Sequence, residues 1–130
     1  MSDLGNTLSI ASSALRAQSA RLRLVSENLA NVDTPGYRRK TTSFEQVIDR
    51  DRDIATLRQS RVTLDPTELP KIHDPSHPMA DEAGYYDGSN VNLMIEIADA
   101  REAQRGYEAN LKMFEQARKM SGSLLDLLRR

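Results

Sequence analysis

The chain has 130 residues, with 18 basic and 19 acidic side chains and a formal net charge of -1; that size suits one folding unit, and the charge balance argues against a general binder of nucleic acid or anionic membrane. Hydrophobic residues make up 38% and aromatic residues 5%, with no Trp and two Phe, so burial has to come from aliphatic seams rather than a thick globular interior. Cysteine is absent, which excludes disulfides and thiolate metal sites and fits either redox compartment.

Residues 1–33 read as the first helix. Apolar positions fall at Leu4, Leu8, Ala11, Leu15, then at polar Gln18, then at Leu22, Val25, Leu29 and Val32, alternating by four and three as in a heptad seam. A polar residue inside such a seam costs stability while fixing register or partner number. Asp3 or Asn6 is the expected N-cap. The same stretch is interrupted repeatedly by Ser, Asn, Thr and Arg, so no cleavable signal is expected; nor does any run approach the roughly 18 apolar residues of a membrane span.

The helix is expected to stop near Asn31 to Asp33. In "ANVDTPGYRRK", Pro35 lacks an N–H and pushes Thr34 toward an extended conformation, and Gly36 tolerates positive φ, so the pair suits the centre of a type II turn. Three consecutive cations follow at Arg38, Arg39 and Lys40. The expected partner of this small patch is the acidic middle of another copy of the chain, not nucleic acid or phospholipid.

Residues 34–90 form an irregular middle segment. Positions 41 to 90 hold ten acidic and five basic groups and four of the five prolines. Short alternations in "SFEQVI" and "RVTL" are the only strand signals, so a loop-rich segment with one short β-hairpin is predicted. His73, Asp74, His77 and Asp81 are its only grouping of ligand-type side chains. Pro75 and Pro78 interrupt them and their spacing matches no standard metal arrangement, so no metal site is expected. With no nucleophile elbow, phosphate loop or paired acidic cleft, neither catalysis nor a cofactor is expected.

Residues 91–130 carry the second helix. One row runs through Leu93, Ile97, Ala100, Gln104, Tyr107, Leu111, Phe114, Arg118, Ser121, Leu125 and Leu128, and a second through Ala103, Met113, Ala117, Met120, Leu124 and Leu127. Two adjacent rows make a stripe wide enough for more than one neighbour. Asn110 is a candidate for a hydrogen bond across helices. The fold class expected is therefore mainly α: one elongated domain whose terminal helices pair as an antiparallel coiled-coil-like hairpin.

Two blocks extend this reading. "SALRAQSARLRLVSENLANVDTPGYRRK" and "DPSHPMADEAGYY…SNVNLMIEIADAREAQRGYEANLKMFEQARKM" resemble the flagellar basal-body rod protein family, and the second is similar to its proximal-rod type. The sequence departs from the family pattern at Tyr86 to Ser89, where an aliphatic residue and a proline are common. The resemblance implies a structural subunit of the proximal rod, joining the membrane ring to the distal rod and transmitting torque. It also implies assembly with copies of itself, other rod proteins and ring-junction proteins, and delivery to the periplasm by the flagellar type III export apparatus without signal cleavage. The expected subunit-interface residues are Leu8, Leu15, Leu22, Val25, Leu29, Leu93, Ile97, Tyr107, Asn110, Leu111, Phe114, Leu125 and Leu128, with Asn31, Pro35, Gly36, Tyr37, Arg38 and Arg39 at the turn. The competing class is a soluble helical adaptor or secretion chaperone that uses the same seams reversibly.

Overall fold

The structure is a computed structural model that describes residues 3–129. Helix α1 spans Asp3–Ala30 and helix α2 spans Leu93–Leu128, 28 and 36 residues, or about 42 and 54 Å at 1.5 Å per residue. The two pack along each other. Asn6 lies inside α1, with its side-chain Oδ1 buried and unpartnered, and Asp3 falls in the first turn. Thus Asn6 is not the expected cap. At α2 the cap is plain: Asn92 has extended φ and ψ and its side chain accepts from the Met94 and Ile95 N–H groups, satisfying two of the donors every helix start leaves open.

The chain leaves α1 through a turn of the predicted kind. The Tyr37 N–H donates to the Thr34 carbonyl at 3.2 Å, and Gly36 has φ +74°, the conformation a type II turn asks of its third residue. Six short strands follow: β1 (Lys40–Thr41), β2 (Phe44–Asp49), β3 (Ile54–Gln59), β4 (Thr63–Leu64), β5 (Lys71–His73) and β6 (Tyr85–Asp87). They form three antiparallel pairs, β2 with β3 in register Phe44 to Gln59, β1 with β4, and β5 with β6. One hairpin was predicted; three pairs are present. Strands of two or three residues carry too little alternation to register in a sequence pattern.

The β2–β3 hairpin packs on α1, the helix that α2 also packs against. The Leu57 N–H donates to Ser13 Oγ at 3.0 Å, Arg52 donates to Ser9 Oγ at 2.8 Å, and Ile54 is buried. With both elements packed on it, α1 buries small residues: Ala11, Ser13, Ala14, Ala17 and Ala20, with Val25 the one large aliphatic. Small side chains let helix axes approach closely.

The seam on α2 draws on both predicted rows and adds two polar positions. On α2 the positions turned inward are Glu96, Ala100, Ala103, Tyr107, Asn110, Phe114, Ala117 and Ser121, again spaced four and three. Ala100, Tyr107, Leu111, Phe114 and Ser121 of the first predicted row and Ala103 and Ala117 of the second are sheltered, Glu96 and Asn110 join them, and Ile97, Gln104 and Arg118 of the first row are exposed. Asn110 Nδ2 donates to the Gly106 carbonyl of its own helix at 2.7 Å, not across to α1. Gln18 does lie at the helix contact, against Gly106.

Candidate functional site

Two regions stand out, a buried polar clasp where the chain leaves α1 and enters α2, and an apolar outer face along both helices.

The clasp is built around Asn28 and Arg39. Asn28, 1% exposed, uses its whole amide: Oδ1 accepts from the Tyr37 hydroxyl at 2.9 Å and the Lys40 N–H at 3.0 Å, and Nδ2 donates to the Lys40 carbonyl at 2.9 Å and to Glu96 Oε2 at 3.4 Å. The amide therefore copies a strand partner for Lys40 and closes the turn onto the helix. The Arg39 guanidinium meets three carboxylates, Glu96 through Nε, Asp99 at 2.8 Å and Asp65 at 4.0 Å. Glu96 has no solvent exposure. An acid in such a place requires a partner, because an unpaired buried charge costs several kcal/mol, on the order of 3 or more.

Burial opposes charge on Arg39, but the hydrogen bond to Glu96 and the fields of Glu96, Asp99 and Asp65 outweigh it and raise its pKa. Burial, helped by the Glu27 charge, raises Tyr37 in the same cluster. Asp99 also meets Arg21 at 3.5 Å, which reaches Glu102 at 3.4 Å. Asn90 completes the clasp: its Oδ1 accepts from the Arg39 N–H at 2.6 Å, and its Nδ2 donates to the carbonyls of Asp65 and Thr67. The Gly36 N–H donates to the Asp87 carbonyl at 3.0 Å, so the turn touches the strand that leads into α2.

The cations of "RRK" are thus held within their own chain. Arg38 donates to the carbonyls of Asp65 and Thr67 and Lys40 pairs with Glu27. The patch was expected to pair with another copy; within this molecule its partners come from α1 (Glu27), α2 (Glu96 and Asp99) and the middle segment (Asp65 and Thr67). Asn31 serves α1 itself, donating to the Glu27 carbonyl at 2.8 Å and accepting from the Thr34 hydroxyl at 3.0 Å.

The outer face holds the larger apolar side chains. Leu8, Leu15, Leu22 and Leu29 are half-buried and only Val25 of that predicted group is buried. On α2, Leu111, Tyr107 and Phe114 are half-buried, while Leu93, Ile97, Leu125 and Leu128 are exposed, Leu128 at 83%. Met94, Met113, Met120, Leu124 and Leu127 join them. These exposures leave many large apolar side chains of α2 without cover in the single chain.

The histidine cluster is spent on its own turn. His77 Nδ1 accepts from the Met79 N–H at 3.1 Å and its ring stacks on Tyr86 at 3.9 Å, while Asp74 accepts from Ser76 and Asp81 from the Tyr85 N–H. Among the described residues no group of His, Asp and Glu is arranged to hold a metal ion, and no helix is long and apolar enough to cross a membrane.

Sequence reading missed Asn28, Asn90 and Glu96. Its one available signal was Glu96, an acid inside the apolar run "LMIEIA" that starts a four-and-three count as regular as the one beginning at Leu93.

Comparison with known proteins fits this layout. Residues 8–38 match the family profile "Flagella basal body rod protein", and residues 82–127 match "Flagellar basal body rod FlgEFG protein C-terminal". A flagellar basal-body rod protein FlgC of Agrobacterium fabrum is 41% identical over 136 aligned positions, covering 99% of this chain and 98% of its own. The chain belongs to the flagellar basal-body rod protein family. Proteins of the same FlgC name from Aquifex aeolicus and Salmonella typhimurium are 34% and 32% identical, over 88% and 94% of this chain and 89% and 96% of theirs. The first profile ends at Arg38, inside the turn that the clasp closes. A member of this family is a structural protein of the basal-body rod, and the family is not one of enzymes; the adaptor reading loses its ground.

Proposed function

We propose that the chain is a subunit of the proximal rod, assembling with copies of itself, with other rod proteins and with the proteins at the ring junction, and passing torque along side-by-side helices. In this reading α1 and α2 run antiparallel as a coiled-coil-like hairpin. Support comes from the order of contacts: Asn28 meets Glu96, Arg21 meets Asp99 and Glu102, and Gln18 lies against Gly106, so positions that rise along one helix fall along the other. Delivery to the periplasm through the flagellar export apparatus, without signal cleavage, belongs to the same reading.

The observation that carries it is the division of labour between side chains. Alanines and polar groups fill much of the contact between the helices, while the methionines of α2 and the leucines at its end face out, Leu125 at 54% and Leu128 at 83% exposed. A chain that needed its leucines for its own core would bury them.

The test is Leu125→Asp combined with Leu128→Asp, expressed in cells whose own rod gene is deleted. Normal synthesis, an unchanged helical spectrum of the purified chain, absence from isolated basal bodies and loss of swimming are expected. Motile cells with the variant in their rods would refute the assignment.

A further inference from the structure

A groove of about 790 Å³ runs between α1 and the β2–β3 hairpin, over a floor that includes Leu8, Ala17, Val47, Leu57 and Phe114. Four arginines line it, Arg16, Arg23, Arg52 and Arg58, and not one carboxylate. Arg52 and Arg58 are matched by Asp49 and Glu45 of the same hairpin. Arg16 and Arg23, one heptad apart and both exposed, hold no ion pair among the described residues. Both also line a second, smaller groove of about 390 Å³ that reaches Tyr107.

The complementary charge lies elsewhere in the same molecule. Between Glu68 and Asp87 the chain has five carboxylates and one lysine, and Lys71 is taken up by Asp87. Glu68, Asp81 and Glu82 are exposed and form no ion pair among the described residues. None of the groove's lining residues comes from this acidic lobe, so the two opposite charges do not meet within one chain.

We infer that the groove of one copy receives the acidic β5–β6 lobe of a second copy, with Arg16 and Arg23 facing Glu68, Asp81 and Glu82. Complementary patches of this kind set register and accelerate encounter more than they add affinity, and the apolar floor supplies the buried area. The exposed Met79 and Tyr85 of the lobe, at 64% and 42%, are suited to that floor. The inference rests on the chain being a self-assembling subunit, and it specifies which surface meets which.

The experiment measures self-association of the full purified chain by sedimentation at low and high salt, with a photo-crosslinking residue at Gln59 to report what occupies the groove. Arg16→Glu with Arg23→Glu is expected to weaken low-salt association about tenfold, and Glu68→Lys with Glu82→Lys by a similar factor. Combining all four should restore it to within about threefold, with the effect shrinking in high salt. Crosslinks should map to residues 65–90 of the second chain. A combined variant that stays weak, either pair leaving association unchanged, a wild-type chain that does not self-associate, or crosslinks to another region or another rod protein would overturn it. These exposed changes should leave the thermal melt unaltered. Normal incorporation of the Arg16→Glu, Arg23→Glu chain into rods would sink this contact while leaving the rod-subunit assignment standing; that assignment fails instead on the leucine pair.

Discussion

Arg39 and Glu96, 57 positions apart in the chain, meet in an ion pair whose carboxylate is fully buried and whose guanidinium is 18% exposed. This pair joins the exit of α1 to the first turn of α2 and holds the middle segment between them through Asp65. A buried pair is weak evidence for net stability, because desolvation offsets much of the attraction; removing one partner, however, leaves a buried charge alone.

The two halves of the pair should therefore respond unequally. Arg39→Ala strands Glu96 and should cost about 3–5 kcal/mol in urea unfolding. Glu96→Gln leaves Arg39 with Asp99 and Asp65 and should cost markedly less. Arg39→Lys should resemble Arg39→Ala more than wild type, since one ammonium cannot span three carboxylates. Equal losses for Arg39→Ala and Glu96→Gln would count against this account.

Asn28 offers a second test of the same clasp. Asn28→Ala leaves the Lys40 N–H and carbonyl without their partners and should cost roughly 2–4 kcal/mol. Asn28→Asp should be worse, because it removes the donor and sets a carboxylate against Glu96 and the Lys40 carbonyl. Amide exchange should accelerate at Lys40 in both variants, by a larger factor than at the β2–β3 hairpin.

Acid stability should follow the turn aspartates. The Arg52 side chain, then its backbone N–H, holds the Asp49 carboxyl below its usual value; the Thr67 hydroxyl and N–H do the same for Asp65, with Arg39 and Arg38 helping, and the Ser76 hydroxyl does so for Asp74. A carboxyl lowered in the folded state contributes stability above its unfolded pKa and loses it as pH falls through the folded value. The urea midpoint should stay flat from neutral pH to about 5 and drop below about 4. Thr67→Val should move the Asp65 titration upward, read by NMR.

Gly106 and Gln18 should be coupled. A Cβ at position 106 would come within 2.7 Å of Gln18 Nε2. Gly106→Ala gains about 1 kcal/mol of helix propensity but displaces the glutamine, so alone it should change the melting temperature little. In a Gln18→Ala background the full gain should appear. A double-mutant cycle with no interaction energy would argue against this contact.

The helices and the turn between them were legible because they rest on local chemistry. Proline before glycine and four-and-three spacing each act over a few residues, and so does the Asn92 cap, which the sequence reading did not single out. Register was not legible. Two equally regular counts, one through Leu93 and Ile97 and one through Glu96 and Ala103, share Ala100, Tyr107, Phe114 and Ser121, and no local window says that Glu96 and Asn110 are sheltered while Leu93 and Ile97 are exposed. The buried positions of α1 are mostly alanines because both α2 and the hairpin pack on that helix, a tertiary fact no local window contains. Asn28 and Glu96 escaped notice for the same reason, since their value lies in partners 12 and 68 positions away. Arg38, Arg39 and Lys40 were expected to meet another copy; within this molecule Arg39 meets Asp65, Glu96 and Asp99, Lys40 meets Glu27, and Arg38 meets two backbone carbonyls.

Ser121 is the last residue of α2 with any shelter, and every residue from Gly122 to Leu128 is exposed. A helix end that nothing packs against gains little beyond propensity, because most helical stability in proteins comes from tertiary packing. In a free chain those two turns should fray and rewind rapidly, with deuterium entering their amides long before it reaches Ala103 or Ala117. Growth of the polymer would then freeze each tip in turn as the next molecule covers it, making slow isotope uptake at Leu124 to Leu128 a direct gauge of how many chains have been joined.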